Sequence, residues 1–376
     1  MNEYIVISCS SRALAECANR AGYSIHVIDS FSDADTVSIS KSVHQVQFID
    51  DGFDEEDLLS KLKQILVTSP RAKLVLGSGF EAKSEIINQL NKLAPTFSNS
   101  PQTITTLKDP ISFSNILQQH KIPHPKTQRI RPDSSTGFLR KKIAGQGGEH
   151  IHWLDKCKED LNKNYYFQQY IAGDVYSVLF LANGKEAKVV GFNQQLQSDD
   201  FADLPFLYKG AISLNNNINK ISEIIEKHIN ILTIESDLKG LCGLDYIVSN
   251  TGEVVVLEVN PRPPATLDLY SDYESLFEAH IACFAGELVD LDRQYDENMH
   301  FRGAAILYAK ENLTISNKIL WPDWVKDKPQ AKTTIKANFP VCTVHARENS
   351  LDKVKALLFN RLSQIETIID VGQNTA

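Results

Sequence analysis

The stretch GLDY at residues 243–246, followed by LEVNPR at residues 257–262, decides the fold. Acidic and amide side chains interrupt two strongly apolar runs, and the turn signal Asn-Thr-Gly at residues 250–252 lies between them. This pattern predicts a β-hairpin. Because side chains alternate between the two faces of a strand, Glu258 and Asn260 share one face.

Asp245 joins that face only if the hairpin loop contains an even number of residues, for example residues 249–252. In that register Asp245 lies opposite Val256 and diagonal to Glu258. Two carboxylates and the amide oxygen of Asn260 then surround one point. Such hard oxygen ligands predict a Mg²⁺ site that also holds substrate phosphates, and Mn²⁺ could take the same ligands. An ordinary solvated hairpin is the alternative, and the apolar surroundings disfavour it.

Arg262 follows directly and could clamp a phosphoryl or carboxylate oxygen through its planar fork of donors. A second basic segment, FLRKKIAGQGG at residues 138–148, runs from a strand into a glycine-rich loop. Glycines let backbone N–H groups approach phosphate oxygens, and a lysine adds a point charge. Alone this motif is weak, and an ordinary flexible hairpin is equally compatible with it. It is not a P-loop, because no Lys-Ser/Thr follows the glycines.

Strand and helix signals alternate in the N-terminal quarter of the chain, which predicts an open, mainly parallel α/β sheet. The sequence Gly-Ser-Gly at residues 77–79 follows a predicted strand, at the edge where such sheets bind ligands. It lacks the third glycine of a dinucleotide fingerprint, so a nicotinamide or flavin oxidoreductase is disfavoured.

A helix is predicted at residues 107–120, and Pro123 and Pro125 end it. After this helix the pattern changes from alternating strands and helices to successive strands. Strands are predicted at residues 138–142, 165–171, 175–182 and 188–195, with an Asn-Gly hairpin turn at 183–184. We expect four parts: residues 1–105, an α/β domain; 106–180, a linker helix and a small lid; 181–300, a C-terminal subdomain with the metal site; and 301–376, an α+β extension.

Composition narrows the class of protein. The chain has 376 residues, 42% of them hydrophobic, and a net charge of −8. The acidic balance argues against nucleic acid or an anionic membrane as a partner. The N-terminus lacks the pattern of a signal peptide, no run reaches about 18 apolar residues, and the six cysteines include no C-x-x-C pair. We therefore expect a cytoplasmic protein.

His280 and Cys283 lie three residues apart, and this spacing favours core packing over a metal-binding pair.

With these motifs in hand, the chain resembles the ATP-grasp superfamily, in particular the predicted ATP-dependent carboligases related to biotin carboxylase. The resemblance spans nearly the whole sequence. It is carried by LVLGSGFE, FSNSPQTI, LKDP, the lysine and double-glycine loop, QQYIAGDVYSVLFLANG, YKGAI, GLDYIV, LEVNPRPPATLDLY, HIACFAGE and FPVCTVHA.

The resemblance implies an α/β and α+β architecture: the ATP-grasp fold preceded by a Rossmann-like preATP-grasp domain, with ATP bound between the lid and the C-terminal half. It implies that Mg²⁺ is held by Asp245, Glu258 and Asn260, and that Arg262 lies near the transferred phosphate. It further implies nucleotide contacts from Lys141, from the loop glycines Gly147 and Gly148, and from the adenine hinge Gln168, Gln169, Tyr170 and Ile171.

One departure concerns a second lysine. The superfamily often has Asp-Lys before the linker, whereas here Asp109 is followed by Pro110. The phosphate-binding lysine is therefore missing, unless Lys108 substitutes from the neighbouring position.

The resemblance implies an ATP-dependent ligase that activates a small-molecule carboxylate as an acyl phosphate and passes it to an amine, and it is compatible with a homodimer. Relatives occur among genes for one-carbon cofactors, which suggests glutamate ligation in a methanofuran-like pathway. A biotin-dependent carboxylase component and a non-catalytic ATP-binding regulator remain alternatives. The carboxylase would need a partner chain, since no Met-Lys biotinyl segment occurs here.

Overall fold

The computed structural model of the chain describes residues 2–49, 51–157, 164–196, 203–214, 220–270, 273, 275–291 and 300–374. These residues form three sheets of four or more strands and two two-stranded sheets. No helix among them has the length and apolar character needed to cross a membrane. All six cysteines are free thiols.

The N-terminal part forms a five-stranded parallel sheet with strand order β3-β2-β1-β6-β7, which confirms the predicted α/β class. Strand β1 is buried along almost its whole length, as expected for a parallel sheet covered on both faces. The elements are β1 (Glu3–Ile7), α1 (Arg12–Arg20), β2 (Ser24–Asp29), α2 (Ala34–Ile39), β3 (Ser42–Gln45), β4 (Phe48–Ile49), β5 (Gly52–Phe53), α3 (Glu55–Thr68), β6 (Lys73–Leu76), α4 (Ile86–Leu93) and β7 (Thr96–Phe97).

The predicted single helix at residues 107–120 is wrong: two helices, α5 (Pro101–Lys108) and α6 (Pro110–Gln119), meet at Asp109. Asp109 has an extended backbone and its carboxylate accepts hydrogen bonds from two N–H groups of α6, at 3.1 and 2.8 Å. Proline disfavours a helical residue before it and lacks an N–H of its own, so it starts a new helix. Lys108 therefore ends α5.

A small antiparallel sheet follows, called here the lid sheet, with strand order β10-β9-β11-β8. Its strands are β8 (Thr127–Gln128), β9 (Phe138–Lys142), β10 (His152–Trp153) and β11 (Tyr165–Gln169).

An eight-stranded sheet, order β16-β15-β12-β13-β14-β17-β21-β19, carries the C-terminal half. Its elements and their neighbours are β12 (Gly173–Asn183), β13 (Ala187–Gln195), β14 (Gly210–Ser213), α7 (Lys220–Ser236), β15 (Lys239–Ser249), β16 (Val254–Asn260), α8 (Leu276–Cys283), β17 (Phe301–Tyr308), β18 (Leu313–Thr314), β19 (Val325–Lys326), β20 (Thr334–Ile335), β21 (Pro340–Glu348) and α9 (Leu351–Asn374).

Sheet membership differs from the expected domain limits at two places. Strand β12 belongs wholly to the large sheet, although it begins before residue 180. Strand β17 pairs with β14, so residues after 300 extend that same sheet. Sheet pairing of distant segments is decided by side-chain packing that local sequence patterns do not report.

His280 and Cys283 on α8 are core residues, in agreement with the packing interpretation. Both are almost completely buried, and His280 Nδ1 accepts a hydrogen bond of 2.8 Å from the backbone N–H of Leu241. Burial lowers the pKa of His280 to about 3, so its ring is neutral at pH 7.

A buried ionic cluster joins the N-terminal domain to the C-terminal extension. The Arg12 guanidinium on α1 donates to both carboxylate oxygens of Asp268, at 2.8 and 2.5 Å, and to Asp327 at 2.6 Å. His345 on β21 lies 2.7 Å from the same Asp268 carboxylate. Burial alone would raise the pKa of Asp268, but the Arg12 and His345 charges lower it well below its ordinary value.

Arg12→Met would leave the buried Asp268 carboxylate and the partly exposed Asp327 carboxylate without their main cation. We expect it to lower the free energy of unfolding by about 3–5 kcal/mol at pH 7. Because the pKa of Asp268 is depressed in the folded state, this stabilisation is present above the unfolded pKa of about 3.9 and is lost as the pH falls below it. Thermal unfolding followed by circular dichroism at pH 7 and near pH 3 would measure both effects.

Lys41→Met is the matched control, because Lys41 pairs with Glu3 at an exposed position, where ion pairs contribute little. A difference between wild type and Arg12→Met that stayed constant with pH would contradict the described ionisation of the cluster.

Candidate active site

The hairpin of β15 and β16 brings the predicted metal ligands together, but by another register than expected. Val248 pairs with Val254 and Tyr246 with Val256, so residues 249–253 form the loop. The expected four-residue loop is therefore wrong. The register then shifts at a β-bulge, and Asp245 lies directly opposite Glu258. One extra residue in β16 thus returns Asp245 to the face of Glu258.

A chain of hydrogen bonds fixes these side chains. The Asn260 amide nitrogen donates to one Asp245 oxygen at 3.0 Å, and the Gln195 amide nitrogen donates to the other at 3.1 Å. Sequence analysis did not identify Gln195. It lies at the end of β13, two strands away from β15, and only the sheet order places it beside Asp245.

Lys108 reaches the same cluster from the end of α5. Its ammonium donates to the Asn260 amide oxygen at 3.0 Å and to Glu258 at 3.3 Å, and only 7% of its side chain is exposed. The lysine that precedes the unexpected Pro110 therefore lies among the predicted metal ligands.

The donor set fits a hard divalent cation. Among the described residues no three His, Cys, Asp or Glu side chains form a metal-binding group, so this set has two carboxylates, Asp245 and Glu258, and the amide oxygen of Asn260. Mg²⁺ commonly takes only one or two carboxylates and completes its shell with water and substrate phosphates. The Lys108 ammonium already lies against two of these oxygen-bearing groups, which shows that they accommodate positive charge.

The two carboxylates of the cluster, Asp245 and Glu258, differ in how readily they ionise. Burial and the neighbouring Glu258 raise the pKa of Asp245. Burial also acts to raise the pKa of Glu258, but the cations Lys108 and Lys141 outweigh it and lower that pKa. Glu258 is therefore the carboxylate that stays ionised most readily, and Asp245 is the one that takes up a proton when no further cation is near.

Lys141 and Lys142 at the end of β9 have different surroundings. Burial lowers the pKa of Lys141, while the carboxylates of Glu258 and Asp245 partly offset that effect, so Lys141 lies close enough to the cluster of Asp245, Glu258 and Asn260 to interact with its charge. Lys142 borders the cleft and forms an ion pair with Asp51 of the N-terminal domain. This difference agrees with the alternation of side chains along a strand.

The glycine-rich loop packs against the segment of residues 206–208. Gly147 and Gly148 have positive φ angles of 69° and 81°. A side chain at Gly148 would overlap the carbonyl oxygen of Phe206, and the Gly147 oxygen accepts a hydrogen bond of 2.8 Å from Tyr208. Glycine is therefore needed at residue 148 both for its backbone conformation and for close approach.

Of the predicted hinge residues 168–171, only Gln168 is buried on the cleft beside Glu258. Gln169 and Tyr170 are exposed, and their backbone N–H groups donate to the oxygens of Lys126 and Gly137, at 2.9 and 2.8 Å. The predicted hinge thus contributes one side chain to the cleft.

His150 also lines this cleft, and sequence analysis did not identify it. Burial and the charges of Lys141 and Lys108 lower its pKa to about 4, although Glu258 acts in the opposite direction. The ring is therefore neutral at pH 7 and adds no charge to the two lysines.

Arg262 completes the cluster on the side of the N-terminal domain. Its Nε donates to Glu81 at 2.6 Å, and the guanidinium is largely buried. The Gln146 amide in the glycine-rich loop donates to the other Glu81 oxygen at 2.7 Å. Glu81 belongs to the stretch LVLGSGFE that carried the resemblance, but its partners appear only in the folded chain.

Residues 108–266 match the sequence model of the family described as "ATP-grasp domain". An uncharacterized protein of Methanocaldococcus jannaschii is 29% identical over 264 residues, which cover 67% of this chain and 61% of the relative's own length.

Three solved structures share the architecture at low sequence identity. An L-amino acid ligase from Bacillus licheniformis has a TM-score of 0.65 at 13% identity, with 97% of each chain covered. N5-carboxyaminoimidazole ribonucleotide synthetase from Thermotoga maritima has a TM-score of 0.62 at 14% identity, covering 96% of this chain and 98% of that one. Biotin carboxylase from Campylobacter jejuni has a TM-score of 0.68 at 11% identity, covering 94% and 89%. This chain therefore has the ATP-grasp fold and contains an ATP-grasp domain at residues 108–266.

Proposed function

We propose that this protein is an ATP-dependent ligase that joins a carboxylate to an amine through an acyl phosphate and releases ADP and phosphate. The observation that carries the proposal is the cluster of Asp245, Glu258 and Asn260 on one face of the β15–β16 hairpin, with Lys108 among them. Arg262 and Lys141 face the same carboxylates. A site that pairs hard oxygen ligands with several cations suits phosphoryl transfer, whose transition state spreads negative charge over oxygens.

Each residue has a separate task in this proposal. Asp245, Glu258 and Asn260 hold Mg²⁺, which would neutralise phosphate charge when bound. Lys108 and Lys141 offset the charge that develops on the transferred phosphoryl group, and the buried position of Lys108 strengthens its effect. Arg262 orients the phosphoryl or carboxylate oxygens through its fork. The loop with Gly147 and Gly148 excludes water from the cleft.

The chemistry needs no nucleophilic side chain. A carboxylate oxygen of the substrate acid attacks the terminal phosphorus of ATP, and ADP leaves. The amine then attacks the activated carbonyl carbon, loses a proton, and phosphate leaves with the oxygen that came from the acid. Positioning and charge stabilisation supply the rate enhancement.

For the substrates we propose an amino acid such as glutamate as one partner and an amine of a one-carbon, methanofuran-like cofactor pathway as the other. The support is the sequence resemblance described above, together with the fold shared with a protein described as an amino acid ligase. Two neighbours are described as a ribonucleotide synthetase and a biotin carboxylase, so a carboxylation is the competing outcome in the assays.

The first test of the ligase uses an acid labelled with oxygen-18 in its carboxylate, incubated with ATP, Mg²⁺ and the amine. We expect label in the released phosphate, because the acyl phosphate transfers one acid oxygen to it. Mass spectrometry of the phosphate measures this transfer. AMP and pyrophosphate as products would instead show adenylation, and strict dependence on bicarbonate and biotin would favour the carboxylase.

The second test concerns the metal ligands. Glu258→Gln and Asn260→Ala should each reduce ADP release by about 100-fold or more, since loss of a preorganised electrostatic group at a phosphoryl-transfer site costs roughly that factor. Thermal unfolding of Glu258→Gln should stay close to wild type, because the Glu258 side chain is partly exposed. Asn260 is buried, so ADP release by Asn260→Ala is measured at a temperature where circular dichroism shows that variant to be folded. Near wild-type ADP release by either variant would remove the metal assignment.

The third test separates the two lysines of β9. Lys141→Ala should weaken ATP binding about tenfold more than Lys142→Ala, because Lys141 faces the metal cluster whereas Lys142 pairs with Asp51. Isothermal titration with a non-hydrolysable ATP analogue and Mg²⁺ would measure both affinities. Equal losses would contradict the role given to Lys141.

A further inference from the structure

Glu81 lies just after β6, in the sequence Gly-Ser-Gly-Phe-Glu, at the carboxyl edge of the N-terminal sheet. Its side chain is only 2% exposed. Burial would raise its pKa, but the cations Arg262 and Lys108 lower it, so the carboxylate is ionised at pH 7. A buried carboxylate in this state requires strong hydrogen-bond partners.

Three segments supply those partners. Arg262, which follows β16, donates to Oε1 at 2.6 Å. Gln146 of the glycine-rich loop donates to Oε2 at 2.7 Å, and the backbone N–H of Gly79 donates to the same oxygen at 2.9 Å. The planar Glu81 carboxylate thus contacts both the glycine-rich loop over the cleft and the Arg262 guanidinium at the inner end of the cleft.

A second contact joins the same two regions and gives a comparison. Asp51 of the N-terminal domain pairs with Lys142 at the end of β9. That pair is about one-third exposed, and Asp51 has no contact with Arg262 among the described hydrogen bonds and ion pairs. It ties the lid sheet to the N-terminal domain at the border of the cleft.

We propose that Glu81 is a positioning residue that couples closure of the glycine-rich loop to the orientation of Arg262. The inference rests on the proposed function, since it takes the role of Arg262 from it. When Gln146 docks on Oε2, the carboxylate plane is fixed and Oε1 holds the guanidinium in place. When the loop leaves, the carboxylate retains Gly79 and Arg262 but loses the second donor to Oε2, which together with Gly79 fixes the carboxylate plane. The arginine is then fully oriented only under a closed loop.

Hydrogen–deuterium exchange of the amides of residues 145–148 tests this coupling in the full chain, with and without MgATP and without acid or amine. Gln146→Ala should make these amides exchange about tenfold faster, since a hydrogen bond to a charged group contributes roughly that factor. Arg262→Lys changes no residue of the loop, yet it should also speed loop exchange severalfold. The double variant should exchange no faster than Gln146→Ala, because both changes act through Glu81.

Asp51→Asn is the matched control and should leave loop exchange close to wild type. Glu81→Gln is a second variant of nearly identical shape, and it should speed loop exchange as Arg262→Lys does. Unchanged loop exchange in Arg262→Lys would overturn the coupling. So would faster exchange spread evenly over all peptides in both Arg262→Lys and Glu81→Gln, because the contact would then be only structural.

The outcome is separable from that of the ligase assay. Coupled loop exchange together with unlabelled phosphate would leave the positioning role standing and remove the ligase. Labelled phosphate together with a loop whose exchange is insensitive to Arg262→Lys would support the ligase and remove the positioning role of Glu81.

Discussion

The pairing of Asp245 with Glu258 across β15 and β16 is the constraint on which the site depends. An antiparallel pair with an odd loop would place Asp245 on the opposite face from Glu258 and Asn260. The β-bulge inserts one residue and turns the carboxylate back. Once the three side chains share a face, two carboxylates lie close together in the cleft, and the cations Lys108, Lys141 and Arg262 offset their charge.

That compensation comes from separate parts of the chain. Lys108 enters from the end of α5, Lys141 from the lid sheet, and Arg262 from the segment after β16. None of these cations is adjacent to another in sequence. Two carboxylates this close together are tolerated only when cations and hydrogen-bond donors surround them, so the site itself favours the packing of the lid sheet against both larger sheets.

Glu81 extends this logic to the N-terminal domain. Its carboxylate accepts from Arg262 and from the loop residue Gln146, so it links the inner end of the cleft to its cover. The Arg12 and Asp268 pair makes a comparable buried link between α1 and the segment after β16. The N-terminal domain therefore contacts the site through ions, and these contacts have directional geometry that apolar packing lacks.

The sequence alone determined the class of fold and located the two motifs that meet at the candidate site, because strand alternation, apolar runs and the motifs around Asp245 and Glu258 are local features. It also indicated Lys108 as a substitute lysine. However, the sequence pattern predicted one helix through Lys108 and Pro110, and only the structure shows that α5 ends at Lys108 and α6 begins at Pro110. The bulge register, the partners of Glu81 and the place of Gln195 were decided only by the tertiary structure. Each depends on which distant strands become neighbours, and that choice follows from long-range packing of side chains, which no local pattern encodes.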